Sequence, residues 1–172
     1  DDGSPVMNAE VMRRALEYTR IFEIPVIEHC EDRSLFSGGV MNEGAASTML
    51  GLRGIPAASE SVAVARDLAL AELTEGRLHV AHISTRRSLD EVRRARRRDV
   101  RVTCEVTPHH LVLTEDEVAR SQYDPNTKMN PPLRGEDDRQ ALLDGLLRFR
   151  EVLDQTRQSP AAAPPPDSRR QP

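Results

Sequence analysis

The sequence predicts an α/β fold of about three parallel βα units, an open sector of a larger architecture. Three observations carry that prediction. Short, β-favouring apolar runs at 24–29, 78–84 and 100–106 alternate with longer stretches that repeat apolar residues at helical spacing, the pattern of parallel strands joined by helical crossovers. The first two runs end in chemistry-bearing residues, His29-Cys30-Glu31-Asp32 and His82-Ile83-Ser84, and parallel α/β folds keep their chemistry at strand C-termini. Three strands, moreover, are too few to close a barrel.

Each element follows from local sequence. Asp1 to Pro5 is a loop by composition. Asn8 is the expected N-cap of a helix whose Met12, Ala15, Leu16, Thr19 and Phe22 form one stripe. Ile24 to His29 reads as a strand with Pro25, Ile27 and His29 on one face. From Ser34 to Ala58 the chain is rich in Gly, Ala and Ser and reads as loop, with a short helix at 43–50. A helix from Ser59 to Thr74 is expected to bury Val62, Ala65, Ala69 and Leu73 and to stop at Gly76. Leu78 to Ser84 is the second strand. Alternation there places Leu78, Val80 and His82 on one face, with His82 at the last inward position, and turns His79, Ala81 and Ile83 away. Ser88-Leu-Asp-Glu91 has the form of a capping box opening a helix that carries Leu89, Val92 and Ala95. Val100 to Val106 is the third strand, ended by Pro108.

The totals exclude several classes of function. With 172 residues, 38% hydrophobic and 30% charged, the chain can build one domain with a core. A net charge of -4 gives no general attraction to nucleic acid or anionic membrane. The five arginines between Arg93 and Arg98 lack aromatic interleaving and read as the solvated face of a helix. No apolar run approaches the roughly 20 residues of a membrane span. Two cysteines, Cys30 and Cys104, are too few for a disulfide framework; both are expected to be reduced and buried, which suits the cytoplasm. After Leu147 the periodicity fades, and the Pro- and Ala-rich residues from about Gln158 cannot bury enough surface to order. The expected organisation is one domain, 1–147, and a disordered tail, 148–172.

Carboxylate and imidazole at successive strand ends, namely Asp2, His29 and His82, suit zinc or a similar divalent ion. The wording around them is more specific. Asp-Asp-Gly-Ser-Pro-Val, His-Cys-Glu-Asp, His-Val-Ala-His-Ile-Ser-Thr, Val-Thr-Cys-Glu-Val-Thr-Pro-His-His-Leu and Lys-Met-Asn-Pro-Pro-Leu-Arg occur in that order. Together they resemble the bacterial type I dihydroorotases of the amidohydrolase superfamily, over roughly Asp1 to Leu147. Asn130 to Arg134 with His-Cys-Glu-Asp favours dihydroorotase over allantoinase and dihydropyrimidinase.

The resemblance implies part of a metal-dependent (β/α)8 barrel that interconverts dihydroorotate and N-carbamoyl-L-aspartate, with one or two Zn2+ ions in the intact family. It makes Asp2 the carboxylate that bridges the metals, His29 and His82 ligands of the second metal position, and Asn130 the residue that hydrogen-bonds the dihydroorotate ring. It leaves His109 and His110 supporting or structural roles, and alternation makes His79 structural. It also implies a His-x-His ahead of Asp1 and a catalytic aspartate beyond Leu147, so no catalytic residue is assigned and the chain alone is expected to be inactive and poorly soluble. The competing expectation is a non-catalytic subunit that scaffolds aspartate carbamoyltransferase; self-association fits either reading.

Overall fold

The computed structural model describes residues 4–36 and 38–158; Asp2 and the tail expected from about Gln158 lie outside the described residues. Helix α1 (Ala9–Arg20) opens at Asn8, whose side-chain oxygen accepts from the backbone N–H groups of Glu10 (2.9 Å) and Val11 (3.3 Å). It buries Met12 and Leu16. The expected stripe stops there, because Phe22 lies beyond the helix end and is exposed, its ring edge-on to Tyr18.

Strand β1 (Pro25–Glu28) follows. Then come β2 (Met41–Asn42), α2 (Ala45–Leu50) and β3 (Gly54–Ile55). The region expected to be mostly loop thus contains a second, two-stranded parallel sheet, β2 against β3. Strands of two residues show no periodicity, so nothing in the sequence marked them. Helix α3 (Ala57–Thr74) leads to β4 (Arg77–Val80), α4 (Arg86–Arg96) and β5 (Val102–Cys104). After these come α5 (Pro108–Val112), α6 (Glu117–Arg120) and α7 (Glu136–Gln158). Helix α7 continues through Leu147 and Arg148, where the sequence suggested a break.

The main sheet is parallel throughout, in the order β1-β4-β5. Its register aligns Val26 with Leu78 and Val102, and Ile27 with His79 and Thr103. Leu78, Val80 and Val102 pack against Met12 and Leu16 of α1, Val64 and Leu68 of α3, and Val92 of α4. Each fully buried Leu or Val contributes about 1.5–3 kcal/mol, so this one-sided helix layer holds the sector together. The orientation reverses the expected one. Leu78 and Val80 face the helices, while His79 lies on the opposite, open face beside half-exposed Ile27 and donates to or accepts from Thr103 Oγ1 at 2.8 Å. Crossover helices cover the face where β4 is most apolar, and that face carries Leu78 and Val80.

Helix α3 is also turned relative to expectation. It buries Ala63, Val64, Leu68 and Ala71 together with Glu60 and Asp67, and leaves Val62 and Leu73 at 49% and 63% exposure. Ala65 and Ala69 are exposed as well. Both buried carboxylates are hydrogen-bonded, Asp67 to Arg66 Nε at 2.8 Å and Glu60 to the start of α4. Specific partners thus override the rule that charge faces water. The chain leaves α3 through Glu75 in the left-handed region (φ +54°), not through Gly76. Gly76 serves another purpose. A Cβ there would lie 3.0 Å from Leu16 Cβ and 3.1 Å from Leu16 O, so any other residue would push α1 and the start of β4 apart by a few tenths of an ångström.

The N-cap of helix α4 lies three residues before the start of the expected capping box. Thr85 is the N-cap and accepts from Ser88 N at 3.1 Å, which places Ser88-Leu-Asp-Glu91 inside the helix. The arginines that end α4 lie along a charged surface, with Arg93 bonded to Asp90, Arg94 to Glu91, and Arg98 to Glu72 across to α3. Cys30 is buried and Cys104 only partly so; both are free thiols. Among the described residues no helix is long and apolar enough to cross a membrane.

Candidate functional site

The C-terminal ends of β1 and β4 bring two of the expected metal ligands together. His29 follows β1 directly and is almost fully buried. Its Nδ1 lies 3.1 Å from His82 Nε2, with the rings edge to face and their centroids 4.7 Å apart. Strand alternation does not place His82. Strand β4 ends at Val80, and His82 reaches His29 from a bend with a left-handed backbone (φ +35°). Such a conformation costs a non-glycine residue about 1–3 kcal/mol and persists only where the surroundings hold it.

Those surroundings are visible on both sides of His82. Ala81 N donates to Glu28 O (3.0 Å) and Ile83 N to Glu105 O (2.9 Å), which fixes the bend to β1 and β5. The Glu60 carboxylate then accepts from Ser84 N (3.0 Å), Ser84 Oγ, Thr85 N (3.1 Å) and Thr85 Oγ1 (3.0 Å).

Asn130 arrives from far along the chain. Its Nδ2 lies 3.2 Å from His29 Nε2. A neutral His29 has one ring proton, shared between the His82 contact at Nδ1 and the polar groups at Nε2. Buried Glu31 completes the group, with Oε2 3.4 Å from the same Nε2. Burial, and then the neighbouring His29, hold His82 below the usual imidazole range, so its neutral, ligating form is favoured.

The loop bearing Asn130 rests on His110 and Arg134. His110 is buried and bridges Thr107 Oγ1 (2.7 Å) and the Pro131 carbonyl (3.0 Å), a supporting role of the kind expected. Its burial, with His109 alongside, pushes its pKa down to about 4. The acceptor at Pro131 fixes the neutral tautomer as Nε2–H, leaving Nδ1 to accept from the Thr107 hydroxyl. His79, read as pointing away from the site, instead shares the open sheet face with Ile27 and has Glu105 Oε2 at 3.5 Å from its Nε2.

The residues present fit a divalent ion in part. Two imidazole nitrogens 3.1 Å apart lie within a few tenths of an ångström of the ligand–ligand edge, about 3.3 Å, that tetrahedral Zn–N bonds of about 2.0–2.1 Å give. His82 Nδ1 is buried with no hydrogen-bond partner among the described residues. Among the described residues no three His, Cys, Asp or Glu side chains group closely enough to hold a metal ion. Glu60 and Arg134 were missed as site residues; Arg134 closes the Asn-Pro-Pro-Leu-Arg motif, and that was the available signal.

Known proteins resemble the chain in sequence and in fold. Residues 1–88 match the family model described as dihydro-orotase-like. The chain is 58% identical over 146 residues to a dihydroorotase of Anaeromyxobacter dehalogenans (strain 2CP-C), covering 85% of this chain and 34% of the relative. It is 53% identical over 146 residues to a dihydroorotase of Endomicrobium trichonymphae, with the same coverage. The chain thus spans about a third of the length of the curated relatives it matches. Among solved structures it resembles a D-hydantoinase (dihydropyrimidinase) from Thermus sp., with a TM-score of 0.63, 25% identity, and coverage of 86% of this chain and 32% of the other. A dihydroorotase from Campylobacter jejuni superposes with a TM-score of 0.56 at 20% identity, over 84% of this chain and 36% of that one. The fold is that of the amidohydrolase barrels, present here as a partial α/β sector.

Proposed function

Because the chain belongs to the dihydro-orotase-like family, we propose that it carries one wall of a zinc-dependent site that interconverts dihydroorotate and N-carbamoyl-L-aspartate. The observation that supports this most is the convergence of His29, His82 and Asn130, brought together from three distant segments. His29 and His82 would hold the metal through neutral imidazoles, with Asp2 as the carboxylate the resemblance adds. Zinc bound there supplies a nucleophile at neutral pH and polarises the ring amide. The chain's own contributions are positional. Asn130 is exposed at the mouth of the pair, where its amide can bind the polar edge of a small cyclic amide. Burial keeps His82 poised as a neutral ligand, beside a His29 that is itself almost fully buried. Dihydroorotate as substrate makes the partner a small molecule and suits a cytoplasmic role in pyrimidine synthesis.

The test is calorimetric titration of the 172-residue chain with Zn2+, repeated on the His29→Ala/His82→Ala double variant. Heat in the parent that is lost in the double variant is expected. Equal heats from the two proteins would end the metal assignment. Dihydroorotate added to the zinc-loaded chain should then shift the Asn130 side-chain amide resonances; an unmoved Asn130 would remove it from the substrate site.

A further inference from the structure

Arg134 is an almost fully buried guanidinium at the junction of four segments. Its Nε donates to Ser84 Oγ at 3.0 Å, and its Nη1 donates both to Asn42 Oδ1 at 2.7 Å and to the Ile55 carbonyl at 2.9 Å. Its own carbonyl accepts from Glu115 N at 3.0 Å, and Glu115 Oε2 accepts from Asn42 Nδ2 at 2.6 Å. Ser84 Oγ stands between two charges, accepting from Arg134 while donating to Glu60. One connected network therefore joins the start of α3, the turn after β4, the β2–β3 pair and the loop ahead of α7.

The network's placement relative to the site is specific. Ser84 lies two residues past His82, and Arg134 lies four past Asn130. Both site-bearing turns are anchored to the same guanidinium, and neither anchor touches the reacting space. A lysine could not reproduce this, since one ammonium cannot present Nε and Nη1 donors at fixed angles to acceptors on opposite sides.

We infer that Arg134, with Glu60 behind Ser84, is a positioning residue that sets the His82 bend against the Asn130 loop. The inference rests on the reading of His29 and His82 as metal ligands. Arg134 acts through Ser84 on His82 and through the chain itself on Asn130. Groups that hold ligands in place from behind change metal affinity by about 10- to 100-fold when removed, and an effect near the lower end is expected across two residues of backbone.

The experiment compares the 172-residue chain with its Arg134→Lys and Ser84→Ala variants. Two readouts are taken well below each protein's melting temperature: Zn2+ affinity by chelator competition, and metal-free imidazole ¹⁵N spectra of His29 and His82. Arg134→Lys is expected to weaken Zn2+ about tenfold and to alter the His82 ring signals. Ser84→Ala, which keeps every buried charge, should do the same more mildly and covers the case in which Arg134→Lys does not fold. A fall in melting temperature with unchanged affinity and unchanged ring signals would reduce Arg134 to a structural buttress and overturn the inference. If the parent chain takes up no Zn2+ while the ring signals still respond to both variants, the metal reading fails and the positioning role stands. If neither readout responds, the positioning role fails.

Discussion

His110 makes a pH-dependent prediction whose size follows from its surroundings. It is 3% exposed, and both ring nitrogens are engaged, Nδ1 with the Thr107 hydroxyl and Nε2 with the Pro131 carbonyl. Burial lowers its pKa from 6.5 to about 4. The folded state therefore binds fewer protons than the unfolded chain between those values, and stability rises with pH across that interval. The contribution is complete above about pH 6.5, and the loss reaches about 3 kcal/mol as pH falls to about 4. For a chain of this length that corresponds to a melting temperature lower by roughly 6–12 °C.

Other buried groups titrate in the same range, so the clean measurement is a difference between two proteins. Melting followed by circular dichroism from pH 7.5 to 4.5 should show His110→Gln well below the parent at pH 7.5. The gap should narrow steadily as pH falls, because the variant has no imidazole to protonate. A gap of constant width over the whole range would refute the argument. So would an imidazole ¹⁵N titration showing His110 half-protonated near pH 6.5.

Two further predictions test the packing and the buried charge. Leu68→Ala should cost about 2–5 kcal/mol, while Leu73→Ala, on the exposed side of α3, should stay within about 0.5 kcal/mol in urea unfolding; comparable losses would mean that α3 is turned the other way. Glu28 is buried, with Oε1 accepting from Val6 N at 2.7 Å and Oε2 without a partner among the described residues, and burial raises its pKa. The folded state thus keeps a proton that the unfolded chain releases above about 4.3, and stability falls as pH rises from there through the folded pKa. Glu28→Gln should therefore gain on the parent in melting temperature between pH 4.5 and 8, and a variant that loses ground over that range would show the sign to be wrong.

The parts of this fold that were legible in the sequence are those where a local rule met no competitor. Asn8 caps α1 through its own side chain, which accepts from the first-turn amides, and Met12 and Leu16 then fall inside by helical spacing. The parallel order of β1, β4 and β5 followed from alternation alone. Helix α3 shows where such rules fail. It is apolar on more than one side, and a pattern rule that sends carboxylates outward selects Val62 and Leu73 over Val64 and Leu68. The buried face is decided by partners of Glu60 and Asp67 that the sequence cannot display: the amides of Ser84 and Thr85 and the guanidinium of Arg66.

The site shows the same division. His29, His82 and Asn130 were readable as residues, but the means of their meeting was not. Alternation carried on from Leu78 and Val80 would have sent His82 toward the helices. A left-handed bend after Val80 brings it to His29 instead, and no residue type demanded that bend. His79 was misplaced by the same assumption. Arg134 lay in plain view as the last letter of a motif, but its value comes from acceptors 50, 79 and 92 residues earlier in the chain.

Those separations put a clock on the molecule. Every acceptor of the Arg134 side chain lies upstream of it, so a ribosome adding roughly 5–20 residues per second delivers Asn42, Ile55 and Ser84 several seconds before the guanidinium that joins them. During that interval the Glu60 carboxylate has the Ser84 and Thr85 amides but not the Arg134 guanidinium, and the β2–β3 pair lacks its link to Ser84. The nascent chain therefore carries all three acceptors before it carries the one side chain that joins them.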